Sequence, residues 1–490
     1  MFQWITSSYL LTATAFSPVI GRLAAVTGQK VLLFAELWIF IIGNVIAGSA
    51  HNLTQLVGGQ LVSGVGGAGL LALSVIIITE LTDERERSTY LNLVNAIFII
   101  ADAIGPVLGS TFALKASWRW IYLFNAPCGA FITVFLYLSL HLPPVPARRL
   151  SLKKIAEDLD IPGMFSITSS LALLIIALNL GGQAKPWSST IVIGLLAGSA
   201  ASLILFVVIE KLWAEKPLAP MQLFTSWEGR NLPCMLIVRT LLFFHLFAMT
   251  FYLPLFLHIV LNMSLLVSSL LVIPFLSTAS ISSAIFSALS SRTGIVRPFL
   301  LGSLLILLVG LALFTTLDST SSLALVMGYS VVCGFGFGAG TQITIVVAQE
   351  GQDEVNLPTV TALMTTTTTL GGVIGVALVG AVISNTLKNR LGEYISQTVK
   401  PNYADPASLT SSGVSESRLS TEYALAFSRS FLVLIGAVCL QILLCLFLRT
   451  VKFEGTAQKI IEPKVEGDLG MNPAMDISLA HQMEPKSELQ

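Results

Sequence analysis

The chain has 490 residues with 27 basic and 27 acidic side chains, so its net charge is zero. Hydrophobic residues make up 54% and charged residues 11%, with a mean hydropathy of +0.82. A soluble domain carries about 25% charged residues, so a soluble globular body is excluded, and the neutral balance leaves no footprint for nucleic acid.

A membrane-crossing helix needs about 20 mostly apolar residues. Thirteen such stretches run at roughly 4–23, 31–49, 54–80, 89–113, 119–141, 161–181, 188–210, 233–260, 265–288, 298–316, 321–347, 360–386 and 430–449. The pattern predicts an all-α polytopic membrane protein with about thirteen transmembrane helices, grouped five, two and six. The first span begins almost at Met1 with no basic leader, so it is expected to be its own insertion signal. Gly21-Arg22-Leu23-Ala24-Ala25-Val26-Thr27-Gly28-Gln29-Lys30 follows as the first cytoplasmic loop. Glu36 lies near an end of the second span, where it is expected to snorkel to the interface. Asn52-Leu53-Thr54 is a glycosylation sequon. The third span carries Leu56-Val57-Gly58-Gly59-Gln60-Leu61-Val62-Ser63-Gly64-Val65-Gly66-Gly67.

The fourth span contains Asp102, then Gly105-Pro106-Val107-Leu108-Gly109. Gly105 and Gly109 form a small-xxx-small face expected to admit a close helix neighbour, and Pro106 removes a backbone bond. Trp118-Arg119-Trp120 and Asn125-Ala126-Pro127 open the fifth span. Residues 142–160 read as a Pro-rich, then basic, linker ahead of a helix pair, and 211–232 as another linker. The eighth span holds Arg239, expected to snorkel inward or to pair with a carboxyl or an anionic substrate, and His245, expected to be a satisfied packing group. Phe243, Phe244, Phe247 and Phe251 are expected mostly to face lipid. Asn262-Met263-Ser264 is a second sequon. Gly334, Gly336, Gly338 and Gly340 are expected to stack on one face, as are Gly371 and Gly375; the hydroxyls of Thr365 to Thr369 can bond back to helix carbonyls. Residues 387–429 read as one long outer loop with a short amphipathic helix near 385–398, and 451–490 as a disordered cytoplasmic tail. The divisions are therefore a 1–142 bundle, a 143–232 linker with two spans, a 233–450 six-span bundle, and the tail.

An intramembrane ionisable group is a functional candidate by default, so Asp102, Glu36 and Arg239 are retained. The five cysteines all fall in predicted spans and read as apolar packing residues, not a metal site. The five histidines are scattered, with no metal pair and no catalytic cluster. A membrane enzyme is thus the disfavoured rival, and the absence of a Walker-type loop argues against an ATP-driven pump. No cofactor is expected.

Gly105-Pro106-x-x-Gly109 with Trp118-Arg119-Trp120 and Asn125-Ala126-Pro127 resembles the antiporter signature of the major facilitator superfamily. More narrowly, it resembles the fourteen-span drug:proton antiporters of fungal efflux-pump type, over about residues 4–450. The first loop resembles the family's gating loop at Gly21, Leu23, Gly28 and Lys30, with Arg22 beside them. The third span resembles a family helix in which Gln60 stands where an arginine is usual, and Ala25 replaces the family's loop aspartate. Phe251-Tyr252-Leu253-Pro254-Leu255-Phe256 and Ile273-Pro274 resemble the start of the second bundle, with Arg292 to Pro298 as its matching loop.

The resemblance implies a major facilitator fold of two bundles plus a two-helix linker. It implies alternating-access efflux of a lipophilic small molecule against protons, by a monomer in the plasma membrane or, alternatively, the vacuolar membrane. The candidate pathway residues are Asp102, Gln60, Arg239 and Glu36. Gly105, Pro106 and Gly109 form the signature; Gly21, Arg22, Gly28 and Lys30 the gating loop; Asn52 and Asn262 the glycosylation sites. The five–two–six plan reads as a six–two–six plan lacking its first helix, so a truncated and poorly active transporter is the alternative expectation.

Orientation follows the basic residues. With the N-terminus outside, 18 of the 27 lysines and arginines fall on the cytoplasmic side and 8 outside, Arg239 being intramembrane. Both sequons then fall on outer loops. A protease-cleavable tag on the 451–490 tail is expected to survive digestion of intact cells and to be cut after permeabilisation; cleavage in intact cells contradicts the topology.

Overall fold

The computed structural model describes residues 3–81, 84–140, 160–181, 185–213, 217–225, 231–293, 295–318, 320–349, 356–391 and 415–448. The tail and the 142–159 linker lie outside the described residues. The helices are α1 (Gln3–Thr27), α2 (Gln29–Gly48), α3 (Leu53–Leu81), α4 (Glu84–Lys115), α5 (Trp120–Leu123), α6 (Asn125–Ser139), α7 (Ile161–Leu180) and α8 (Thr190–Leu212). Then follow α9 (Gln222–Thr225), α10 (Asn231–Ile259), α11 (Leu265–Leu270), α12 (Ile273–Thr293), α13 (Arg297–Phe314), α14 (Leu323–Gln349), α15 (Leu357–Leu391) and α16 (Glu416–Leu446). Each of the thirteen predicted stretches coincides with one helix or with a pair of consecutive helices.

Among the described residues, eleven helical segments are long and apolar enough to cross a membrane. The two predicted spans outside that set are α1 and α4. Both bridge the two halves of the molecule, α1 against α15 and α4 against α11 and α12. By contrast α6, on the periphery, buries only Gly129.

Several boundaries differ from the sequence expectation. The first cytoplasmic loop is nearly absent: residues 21–27 form the last turns of α1, and the chain reverses at Gly28 alone. Gly28 has φ 89°, a left-handed conformation that glycine tolerates and other residues resist. The outer loop is also shorter than 387–429, because 387–391 continue α15 and 416–429 belong to α16. Leu419, Tyr423 and Phe427 recur at helical spacing and are buried. The Arg390 Nε–Glu422 Oε2 ion pair, at 2.9 Å, ties the two extended helix ends together. Polar residues hid this turn from a hydropathy reading although nothing in them breaks a helix.

The two halves are cored differently. One continuous apolar cluster runs through α10 to α16, with Phe314 stacked on Phe431 at 4.8 Å. The first half, α1 to α6, holds smaller clusters, the largest around Ile20, Leu33, Leu37 and Leu73. Helices α7 and α8 pair through reciprocal serine–carbonyl bonds of Ser170 and Ser199, each 2.9 Å. α7 rests on α1, where Thr168 donates to the Ala15 carbonyl at 3.1 Å.

In lipid there is little hydrophobic force between helices, so close backbone packing and polar contacts hold them. The glycines of α14 serve this, though not on one face as expected. Gly334 and Gly338 abut Phe275 and Ala279 of α12, Gly336 abuts Leu307 of α13, and Gly340 receives Leu242 of α10. A helix repeats every 3.6 residues, so glycines two apart point to different neighbours. Gly371 and Gly375 do share a face, against Thr240 and Phe244 of α10. In the first half, Gly43 meets Ser63 and Gly59 meets Ala47, closing α2 on α3.

Gly105 and Gly109 depart from expectation. A Cβ on either would meet nothing within 4 Å, so no neighbour uses this face among the described residues. The close approach that the spacing permits is made by other glycines. G338A is therefore expected to cost about 1–3 kcal/mol through overpacking. G105A is expected to be neutral or to stabilise by up to ~1 kcal/mol through reduced backbone entropy. Thermal unfolding of the detergent-solubilised protein distinguishes them; equal shifts would contradict the packing described.

Candidate functional site

A cleft opens between the two halves. Leu71 and Val75 of α3 and Val94 of α4 line it from the first half; α10, α12, α14 and α15 supply the rest. Most of its wall is apolar, from Phe243, Leu246, Leu276, Phe337, Ile345 and Met364. A polar strip runs along Ser280, Ser283, Thr341, Gln342, Thr361, Thr365 and Thr368. The Ser283 and Thr341 hydroxyls lie 2.8 Å apart, joining α12 to α14.

Arg239 is the one charged residue among the described lining residues. It does not snorkel. The residue is 7% exposed, eight positions into α10, and its guanidinium reaches across to two other helices. Nε donates to the Met364 carbonyl at 3.0 Å and to Thr368 Oγ1 at 2.9 Å on α15. Nη1 donates to the Thr341 carbonyl at 2.7 Å and to Thr344 Oγ1 at 3.2 Å on α14. The guanidinium carbon stands 4.8 Å from the Phe243 ring centroid, a cation–π distance. Threonine hydroxyls bonded to their own helix can still accept from the arginine, as Thr344 does while donating to Gly340 at 2.7 Å. Thr365 to Thr369 all bond back to carbonyls three or four residues earlier.

The other candidate residues lie elsewhere. Glu36 sits between α2 and α3, 5% exposed, against Gly66 and Gly69. Its Oε2 is buried without a hydrogen-bond partner among the described residues, so it does not reach the interface as expected. Gln60 is buried in α3 but is not part of the cleft wall. Asp102 and Pro106 belong to α4, with side chains outside the described residues. His245 is a buried strut, as expected, with Nε2 2.9 Å from the Leu434 carbonyl and Nδ1 against that of Leu241. Of the four phenylalanines only Phe251 is largely exposed. Phe243 lines the cleft, while Phe244 and Phe247 pack on α15 glycines; the faces these glycines leave open are what turn the rings inward.

At the end where α1 turns into α2, Lys30 Nζ donates to the Leu140 carbonyl at 2.5 Å. Arg22 and Asp160 act electrostatically on Glu210, whose Oε1 accepts from Leu218 and Ala219 backbone N–H at 3.0 and 3.2 Å. The Ala25 side chain lies outside the described residues. At the opposite end, Arg119 Nη2 donates to the Ala50 carbonyl at 3.1 Å, and its guanidinium carbon stands 4.8 Å from the Trp118 ring centroid. Asn125 Nδ2 donates to Asn44 Oδ1 at 2.9 Å, and Asn44 Nδ2 to Ser63 Oγ at 2.8 Å, linking α6, α2 and α3. Asn52 is exposed with Oδ1 capping α3 through Gln55 N at 2.8 Å. Asn262 is exposed at φ 50°. No group of three or more potential metal ligands occurs among the described residues.

The threonines that hold Arg239 were not separable in the sequence from other intramembrane threonines. Each removes a neutral acceptor from a buried cation when changed to valine. T344V and T368V are each expected to cost about 1–3 kcal/mol. Because both hydroxyls serve one guanidinium, the double variant is expected to depart from additivity by at least ~0.5 kcal/mol. Thermal unfolding checks both; strict additivity would mean the two act independently.

A model described as Major Facilitator Superfamily matches residues 1–376. The chain is 28% identical over 401 residues to the MFS-type efflux pump LUC4 of Fusarium sp, covering 82% of this chain and 70% of that protein. It is 29% identical over 420 residues to the dehydrocurvularin exporter of Aspergillus terreus, covering 84% and 71%. It is 27% identical over 403 residues to the multidrug transporter protein MdtP of Bacillus subtilis (strain 168), covering 81% and 71%. Among solved structures it resembles a bacterial homologue of the human lysosomal transporter Spinster, inward-facing and unoccupied. That match has a TM-score of 0.56 and 13% identity, over 90% of this chain and 94% of that one. The proton:xylose symporter XylE matches with a TM-score of 0.55 and 12% identity, over 91% and 86%.

Proposed function

The chain belongs to the major facilitator superfamily, and from that premise we propose that it exports lipophilic small molecules, drugs or secondary metabolites, in exchange for protons. It is a multi-pass membrane protein and a secondary transporter, not an enzyme. The observation that carries the export reading is the cleft: it lies between the halves, both contribute walls, and its lining is apolar with one polar strip. Rocking of one bundle against the other about such a site is how this architecture gives alternating access. An apolar wall binds by area and shape, which suits a lipophilic cargo. The efflux-pump and exporter names of several relatives support the same reading.

In the proposed division, 1–142 and 233–450 are the moving bundles and 143–232 a linker in which α7 rests on α1 and carries α8. Proton coupling is assigned to intramembrane carboxyls. Glu36, buried with an unpartnered oxygen, and Asp102 are the two candidates; Gln60 keeps hydrogen-bonding capacity on the α3 face nearby. Residues Gly21 to Lys30, through Gly28 as hinge, form the inner gate. Residues Gly105, Pro106 and Gly109 are the antiporter signature on α4. The protein acts as a monomer in the plasma membrane, with Asn52 and Asn262 as outer glycosylation sites.

Secretory vesicles from a pump-deficient yeast expressing the chain provide the test. Accumulation of a lipophilic dye is expected to need a pH gradient, to collapse with a protonophore and to proceed without ATP once the gradient is set. ATP-dependent accumulation that survives the protonophore would refute it. E36Q and D102N keep size and most hydrogen bonding but cannot ionise. Each is expected to flatten the pH dependence of transport at near-normal protein level. Parallel loss of protein and activity would make these carboxyls structural.

A further inference from the structure

Among the described residues, Arg239 carries a charge with no acidic partner. Its four acceptors are two carbonyls and two hydroxyls, all neutral. No acidic side chain among the described residues lies within ion-pair distance of it. A cation in lipid surroundings is retained at considerable cost and normally pairs or serves a pathway. The hydrogen bonds are also unevenly spread. Nε and Nη1 are both engaged, whereas Nη2, with two N–H donors, meets no acceptor among the described residues. The same side chain lines the cleft. Thr341 and Thr368 fix its position from two helices, and Phe243 backs it, so the fork is held rigid.

We propose that the Nη2 edge of Arg239 is an anion-recognition point, and that the cleft takes amphipathic organic anions: a carboxylate, enolate, phenolate or sulfonate on an apolar body. The anionic group accepts from Nη2 and supplies the missing negative charge. The apolar body lies on Phe243, Leu246 and Phe337. This assignment rests on the cleft being the cargo site of the exporter, and it narrows the cargo from lipophilic to lipophilic and acidic.

The purified full-length protein in nanodiscs is titrated with two fluorescent probes sharing one aromatic body. These are 8-anilinonaphthalene-1-sulfonate, which is anionic, and N-phenyl-1-naphthylamine, which is neutral; empty nanodiscs supply the blank. R239Q is expected to weaken sulfonate binding at least ~10-fold, the size of a lost charge-assisted hydrogen bond, and to leave the neutral probe within about twofold. R239K keeps the charge without the fork and is expected to fall between. If R239Q does not fold, the R239K comparison decides: loss of sulfonate affinity with retention of the neutral probe supports the site. Equal loss of both probes in either variant overturns the proposal in favour of a strut. So does wild-type protein that binds both probes equally or binds neither. Wild type that discriminates between the probes but shows no gradient-driven export would instead refute the exporter reading and leave the anion site standing.

Discussion

The glycine-rich stretch of α14 from Gly334 to Gly340 is where three helices of the second half come together. Backbone meets backbone there: α12 at Gly334 and Gly338 and α13 at Gly336, while Leu242 of α10 enters at Gly340. Dispersion between closely packed atoms is small per pair and large in sum, and it is the main attraction left to helices already surrounded by apolar lipid. That approach also sets the position of Thr341 and Thr344, which follow the glycines by one and four residues. The buried guanidinium hangs from them. Widen the α12–α14 contact, and the hydroxyl pair Ser283–Thr341 and two of the four Arg239 bonds open together.

The halves manage polarity in different ways. In the second half a cation is spread over neutral acceptors on two helices, so cleft, charge and packing share one set of residues. In the first half Glu36 is enclosed between α2 and α3 with one oxygen unpartnered, and the Asn125–Asn44–Ser63 chain satisfies amides nearer the outer end. A cation thus stands on the cleft wall, while a carboxyl is held between α2 and α3, away from it. Coupling between such sites requires a two-state element that both bias. The helices that join the halves, α1 and α4, are in the right place to be that element.

The inner end binds the helix pair into this scheme. Arg22, in the last turns of α1, acts on Glu210 at the end of α8, which also feels Asp160 at the start of α7. Glu210 caps the backbone at Leu218 and Ala219, steering the chain toward α10. The pair is thus anchored to the helix that meets α15 by Thr168.

That the chain is a polytopic bundle of membrane-length helices was legible in the sequence, because apolar length is a local property that lipid selects directly. All thirteen predicted stretches are helical, and the signature residues pointed to the family. Which residues make contact was not legible. Gly105 and Gly109 have the spacing for close packing yet face open space, while Gly338 and Gly375, no more conspicuous in the chain, touch backbone. The Gly21–Lys30 segment and residues 416–429 are polar enough to read as loops, yet tertiary burial of Leu419, Tyr423 and Phe427 and a single left-handed glycine make them helical. Arg239 stood out as an intramembrane charge, but its four acceptors lie 102 to 129 residues away. Partners that distant are chosen only when the helices assemble, since hydrogen-bond geometry depends on ångström-scale placement that no local pattern encodes.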